Sequence, residues 1–164
     1  MFLVLAHETG HTAASIRQLR WSDVDLEQRV VTWRAACDKI GYEHTTPLTD
    51  EAVTVLRAEQ ARVATIGDAW IFPAARGDGS LTTDAAMHYW KRLAARSGLP
   101  AGERYDGWHS VRRQFASELK QTNLKDLFAL GGWKAAQTLL TCYVAPDPAT
   151  QREALEMRRV IRSG

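Results

Sequence analysis

Three β-rich runs crowded between residues 24 and 46, with helical apolar spacing on both sides, predict an α+β domain. It is mainly α-helical, with a small three-stranded antiparallel sheet near the N-terminus. A chain of 164 residues with 45% hydrophobic and 24% charged residues suits one domain with its own core. A formal charge of +2 permits nucleic-acid binding without arguing for it. No apolar run is long enough for a membrane span, since Phe2–Ala6 is cut off by His7 and Glu8. That opening also lacks a basic stretch and a cleavage site, so a cytoplasmic protein is expected. Cys37 and Cys142 have no metal-type spacing and read as reduced thiols.

Met1–Ala6 reads as a helix, broken at Thr9-Gly10. A second helix is expected over Thr12–Arg20, with Ile16 and Leu19 on its apolar side. Strands are expected at Val24–Leu26, Arg29–Arg34 and Tyr42–Thr46. Ala35–Gly41 forms the hairpin tip between the last two, with Gly41 as its turn residue. Thr49 or Asp50 caps the next helix, which runs to about Ala64 over Val53, Leu56 and Val63. Trp70-Ile71-Phe72-Pro73 is a short apolar segment, and Arg76–Ser80 a plain Gly-rich loop.

Thr82 or Thr83 opens a helix to Arg96, with Met87, Trp90 and Leu93–Ala94 inward and Gly98 ending it. Helices follow at Ser110–Lys120, Leu124–Leu130 and Ala135–Val144. Pro148 introduces a last one, Ala149–Arg162, with a thin stripe of Ala154, Met157 and Ile161.

The stretch from Trp108 to Tyr143 carries the chemistry. His109 and Arg112 lie three apart, so a helix puts them on one face. A guanidinium fork and an imidazole suit a phosphate, and a later tyrosine such as Tyr143 can act as a covalent nucleophile. Gly131-Gly132-Trp133 forms a turn between them. His7-Glu8-Thr9-Gly10-His11 also fits H-E-x-x-H, the pattern of zinc hydrolases. A third ligand is missing, since Ala14 and Arg17 stand where the extended pattern needs Gly and His, and Gly10 weakens the helix.

The stretch His109-x-x-Arg112, Gly132-Trp133, Tyr143 resembles the C-terminal motif of tyrosine recombinases of the phage-integrase type. That motif runs His-x-x-Arg, Leu-Gly-His or Leu-Gly-Trp, then Tyr. Thr9-Gly10-His11-Thr12…Leu19-Arg20-Trp21-Ser22-Asp23-Val24-Asp25 is similar to the family's Thr-Gly-x-Arg…Leu-x-Trp-x-Asp-(Ile/Val)-Asp. The small sheet followed by Pro47-Leu48-Thr49-Asp50-Glu51 and the Phe72-Pro73 pair resemble the same catalytic domain, so the resemblance covers residues 1–164.

The resemblance implies a fold of the DNA breaking-rejoining type and site-specific recombination or integration through a phosphotyrosyl intermediate. Tyr143 would be nucleophile and Arg112 and His109 phosphate contacts. Trp133 would supply packing and an indole N–H, and Lys39, at the hairpin position of the family's lysine, the general acid. No cofactor is implied. The partner is double-stranded DNA, with self-association through the C-terminal helix 149–162. The chain departs from the family in two ways. Thr12 stands at the position of the first catalytic arginine, and Arg17 and Arg20 lie five and eight positions away from it, too far round the helix to substitute. The spacing from Trp133 to Tyr143 is one residue longer than usual, read as an insertion near Lys134–Gln137. The expected function is therefore an impaired recombinase catalytic domain of bacterial or phage type, with the N-terminal clamp domain outside this chain. The alternatives are a cleavage-deficient DNA-binding derivative of the same fold and, more remotely, the zinc hydrolase.

Overall fold

The structure, a computed structural model, describes residues 1–37, 41–63, 67–98, 107–133, 135–142 and 147–162. Helix α1 (Phe2–Thr9) stops at Gly10, whose φ of 64° is left-handed and whose N–H donates to the Ala6 carbonyl at 3.1 Å. Glycine is needed here twice over: a side chain would strain the backbone, and its Cβ would lie 2.3 Å from the Phe115 ring.

Helix α2 (Ala13–Arg17) is shorter than its apolar spacing predicts. The chain leaves the helix at Gln18 because the next residues bond elsewhere. The Leu19 carbonyl accepts from Ile71 N–H at 2.9 Å, Trp21 N–H donates to Ala69 at 3.0 Å, and Arg20 bridges to Trp70. A 3-10 turn at Trp21–Asp23 leads into β1 (Val24–Asp25). Buried Asp23 accepts from Arg20 N–H at 2.8 Å and, through both oxygens, from Arg34 Nε at 2.7 and 3.0 Å. The Trp-x-Asp pattern is thus structural here: Trp21 fills the core and Asp23 pins the sheet.

The sheet is antiparallel in the order β1, β2 (Val30–Trp33), β3 (His44–Pro47), as the three β-rich runs predict. Val24 pairs with Val31, Val31 with Thr46, and Trp33 with His44. One face is buried through Val31, Trp33 and Thr46, and the Trp33 indole N–H donates to Thr46 Oγ1 at 2.9 Å. After β2, residues 35–37 form a 3-10 turn.

Helix α3 (Asp50–Val63) is capped by Thr49, which accepts from Ala52 N–H at 3.2 Å, while Asp50 pairs with Arg29. Helix α4 (Thr83–Ser97) is capped by Thr82 and closed by Gly98. Then come α5 (His109–Glu118), α6 (Leu124–Gly131), α7 (Ala136–Cys142) and α8 (Pro148–Arg162). The larger apolar cluster gathers α1, α2, the sheet, α3 and α4 around Leu5, Ile16, Trp33, Leu56 and Trp90. A smaller one joins Phe115, Ala116, Leu127, Trp133 and Leu139. Helix α5 reaches both, with Val111 in the first and Phe115 in the second. Arg112 lies between them.

Gly10→Ala is expected to destabilise the chain by about 3 kcal/mol, combining left-handed strain with the overlap on Phe115. Urea unfolding at pH 7.5 measures it. A loss below about 1 kcal/mol would show that the turn relaxes easily.

Candidate active site

Arg112 is buried, and both hydrogens of its Nη1 go to backbone carbonyls, Gly10 at 2.5 Å and Gly131 at 2.7 Å. Those carbonyls sit where α1 and α6 end. Helix C-termini present unbonded carbonyls and partial negative charge, so a guanidinium between two of them is well placed. Helix α6 closes as a left-handed cap at Gly132 (φ 61°), and Trp133 N–H returns to the Phe128 carbonyl at 3.1 Å. That turn lays the Trp133 ring 4.0 Å from the Arg112 guanidinium carbon. Gly131 must be glycine, since its Cβ would fall 1.8 Å from the Trp133 ring.

Beside this cluster the Gly10–Thr12 turn presents His11 inward. Its ring stacks on Trp33 with centroids 3.6 Å apart at 7°. Its Nδ1 lies 2.9 Å from the Thr9 carbonyl, and its Nε2 lies 3.0 Å from Nε2 of His44 on β3. Tyr42 stacks on His44 in turn, so four rings run from the core to the exposed Tyr42. A Cβ on Gly132 would approach His44 Nε2 to 2.6 Å and His11 Nε2 to 3.2 Å. Burial holds His11 well below its ordinary pKa of 6.5, reinforced by the Arg112 charge. His109 is more exposed. Partial desolvation and the cations of Arg112 and Arg113 hold it below the same value.

Of the residues singled out in sequence, Arg112 and Trp133 meet directly, and His109 lies within electrostatic reach of Arg112. Lys39 and Tyr143 lie outside the described residues. Thr12 does not face the cluster as a donor. Its Oγ1 accepts from Ser15 N–H at 3.2 Å and lies 3.0 Å from Ser15 Oγ, which donates to the Cys37 carbonyl at 3.4 Å. The position of the expected arginine is occupied by a helix cap. Neither neighbouring arginine replaces it: Arg17 donates to Ser80 Oγ and the Leu81 carbonyl, and Arg20 lies over Trp70 at 4.2 Å.

The H-E-x-x-H reading is not supported by the geometry. The helix ends between the two histidines. His7 is exposed and contacts Glu8 at 2.8 Å, while His11 is buried against Trp33. Among the described residues no group of three or more His, Cys, Asp or Glu could hold a metal ion. Sequence reasoning missed His44 as part of the site. It marked the glycines at 10, 131 and 132 as turn and motif residues, without the close approaches that require them.

A model of the phage integrase family matches residues 1–150. The chain belongs to that family, that of the tyrosine recombinases. The tyrosine recombinase XerC of Xanthomonas campestris pv. campestris (strain B100) is 29% identical over 121 residues, which are 74% of this chain and 35% of that protein. The chain thus spans about a third of the length of the curated relatives it matches. Among solved structures, XerA recombinase superposes with a TM-score of 0.74 at 18% identity, over 95% of this chain and 56% of that one. The Tn1549 transposon integrase in complex with circular intermediate DNA gives 0.73 at 18%, over 96% and 58%. XerH bound to a palindromic difH substrate, a post-cleavage complex, gives 0.73 at 21%, over 96% and 44%. These likenesses establish the fold.

Arg112→Met is expected to lower the unfolding free energy by about 3–5 kcal/mol, since it leaves two buried helix-end carbonyls without their charged donor. Urea melts read this directly; a loss under about 1 kcal/mol would assign the clamp little weight. Stability also depends on pH through His11. The unfolded chain takes up a proton near pH 6.5 that the folded His11 refuses. Stability is therefore full above that value and falls as pH drops, by at most about 1.4 kcal/mol per unit for each such group. Lowered His109 adds in the same direction. His11→Phe, which keeps a ring on Trp33, is expected to flatten the slope between pH 7 and 5. An unchanged slope would move its origin elsewhere.

Proposed function

We propose that this chain is the catalytic part of a site-specific DNA recombinase or integrase, weakened by Thr12. Its reaction is metal-free transesterification of a DNA backbone phosphate. The Tyr143 phenol oxygen attacks phosphorus, a phosphotyrosyl bond forms, and the 5′-oxygen leaves as a hydroxyl after taking a proton from Lys39. Rejoining reverses the step with an incoming 5′-hydroxyl. Negative charge grows on the phosphoryl oxygens in the transition state, so fixed donors there supply much of the rate. The Arg112 guanidinium, seated by the Gly10 and Gly131 carbonyls, is one such donor. His109, held below its ordinary pKa and therefore mostly neutral at pH 7, serves as donor or proton acceptor. Trp133 keeps the guanidinium plane in place.

The observation that carries this reading is the buried Arg112 clamp in a chain whose family match runs through residues 1–150. Two of the similar structures were solved with DNA. Self-association on DNA through α8 fits the same picture. Leu155 and Met157 are 63% and 59% exposed there, so that part of the helix does not fold back onto the chain's own core. A second reading, a DNA-binding derivative that does not cleave, is favoured by the Thr12 geometry: the hydroxyl is engaged in capping α2.

A nicked suicide substrate separates the two. Removing a charged donor of this kind lowers the rate by a hundred- to a thousandfold or more, while DNA affinity, spread over many groups, changes little. Thr12→Arg is expected to raise covalent DNA–protein product by about a hundredfold or more, and Tyr143→Phe to abolish it. Ordinary rates with Thr12 in place, and no gain from Thr12→Arg, would sink the proposal of impairment. No product in either chain leaves the second reading.

A further inference from the structure

The contact between His11 and His44 has a direction, and its partners fix it. The Thr9 carbonyl can only accept, so the proton 2.9 Å away must sit on His11 Nδ1. His11 is buried and neutral beside Arg112, so its Nε2 carries a lone pair. The atom facing it at 3.0 Å, His44 Nε2, must then bear hydrogen and donate. A proton on His11 Nε2 would set two donors against each other.

This bond closes a circuit. His44 lies on β3, opposite Trp33 on β2. His11 belongs to the turn whose Gly10 carbonyl receives Arg112, and Arg112 also holds the Gly131 carbonyl. Gly132, the next residue, passes so close to both imidazoles that a methyl group could not fit. Strand, turn, α5 and the end of α6 thus meet around this nitrogen–nitrogen contact. Among the described residues, the charged and titratable groups around it include Arg112 from α5 and Tyr42 from the segment before β3.

We propose that His44 is a positioning residue for the cleavage chemistry: by donating Nε2–H to His11 Nε2 it locks strand β3 onto the Gly10–His11 turn and so sets the seat of the Arg112 clamp. Its link to cleavage rests on the function proposed above. The lock itself stands on the His11–His44 geometry and the neutrality of the buried His11. Loss of the donor leaves a buried acceptor nitrogen unmet, and the strand loses its direct hydrogen bond to the turn.

Long-range proton–nitrogen spectra of the uniformly labelled full chain at pH 7 test the lock. His11 is expected as the Nδ1–H tautomer and His44 as the Nε2–H tautomer, with a scalar coupling between the two Nε2 nuclei. A His11 carrying its proton on Nε2 overturns the proposal. Amide exchange in Val30–Trp33 and His44–Thr46 is expected to rise on the order of tenfold or more in His44→Ala. It should return close to the parent in His44→Gln, whose amide can donate from nearly the same place. Equal exchange in all three chains also overturns it. In the Thr12→Arg background, His44→Ala should slow phosphotyrosyl formation about tenfold or more and His44→Gln should recover most of that. If that parent cleaves but the His44 variants cleave equally well, His44 positions nothing for the reaction. If that parent forms no covalent product at all, the failure belongs to the proposed function, and the spectra and exchange still judge the lock.

Discussion

A buried guanidinium between the ends of two helices is the constraint on which the rest of this structure depends. Arg112 satisfies the Gly10 and Gly131 carbonyls with one nitrogen and carries the Trp133 ring on its face. A charge so far from water is tolerable only if its hydrogen bonds are met and negative potential surrounds it. Helix C-termini supply both, and that dictates the local sequence. Glycine must stand at 10 and 132 for the left-handed caps and at 131 for the tryptophan above it. The two apolar clusters meet at α5 on either side of this residue. Holding the clamp and holding the fold together are one task.

The geometry at Thr12 shows how a single position can serve either chemistry or stability. A threonine at the start of α2 accepts from Ser15 and, through the Ser15 hydroxyl, joins the turn to the Cys37 carbonyl. An arginine there would give up a cap worth about 1 kcal/mol and place a second cation near Arg112. The chain as it stands favours the quiet, capped form. It still keeps the Arg112–Trp133 pair intact, with the ring centroid 4.0 Å from the guanidinium carbon.

Much of this was legible in the chain. The β-rich runs at 24–46 marked the sheet, because alternating Val, Thr and Trp side chains need a pleated surface. Capping chemistry and an apolar stripe announced the next two helices, and of the paired cap candidates Thr49 and Thr82 are the ones that accept the first-turn N–H. The Gly131-Gly132-Trp133 turn and the His109–Arg112 spacing pointed at the site. Helix α2 was overestimated, because the bonds from Leu19 and Trp21 to residues 69–71 pull the chain out of helical geometry. His11 was weighed as a zinc ligand beside His7. Gly10 turns the chain between them, and the stack on Trp33 takes the imidazole inward. His44 carried no local signal, since its partner is 33 residues away.

By itself, then, the sequence determined the family, the class of fold and the helical spacing that puts His109 and Arg112 on one face. These follow from periodicity, capping and short motifs, which act over one or two turns of chain. Only the tertiary structure decided how the arginine is held, which imidazole lies against it, and that the Thr12 hydroxyl is engaged elsewhere. Those outcomes depend on contacts between segments as much as 102 residues apart, such as Arg112 on Gly10, where burial and the direction of a hydrogen bond are set by packing.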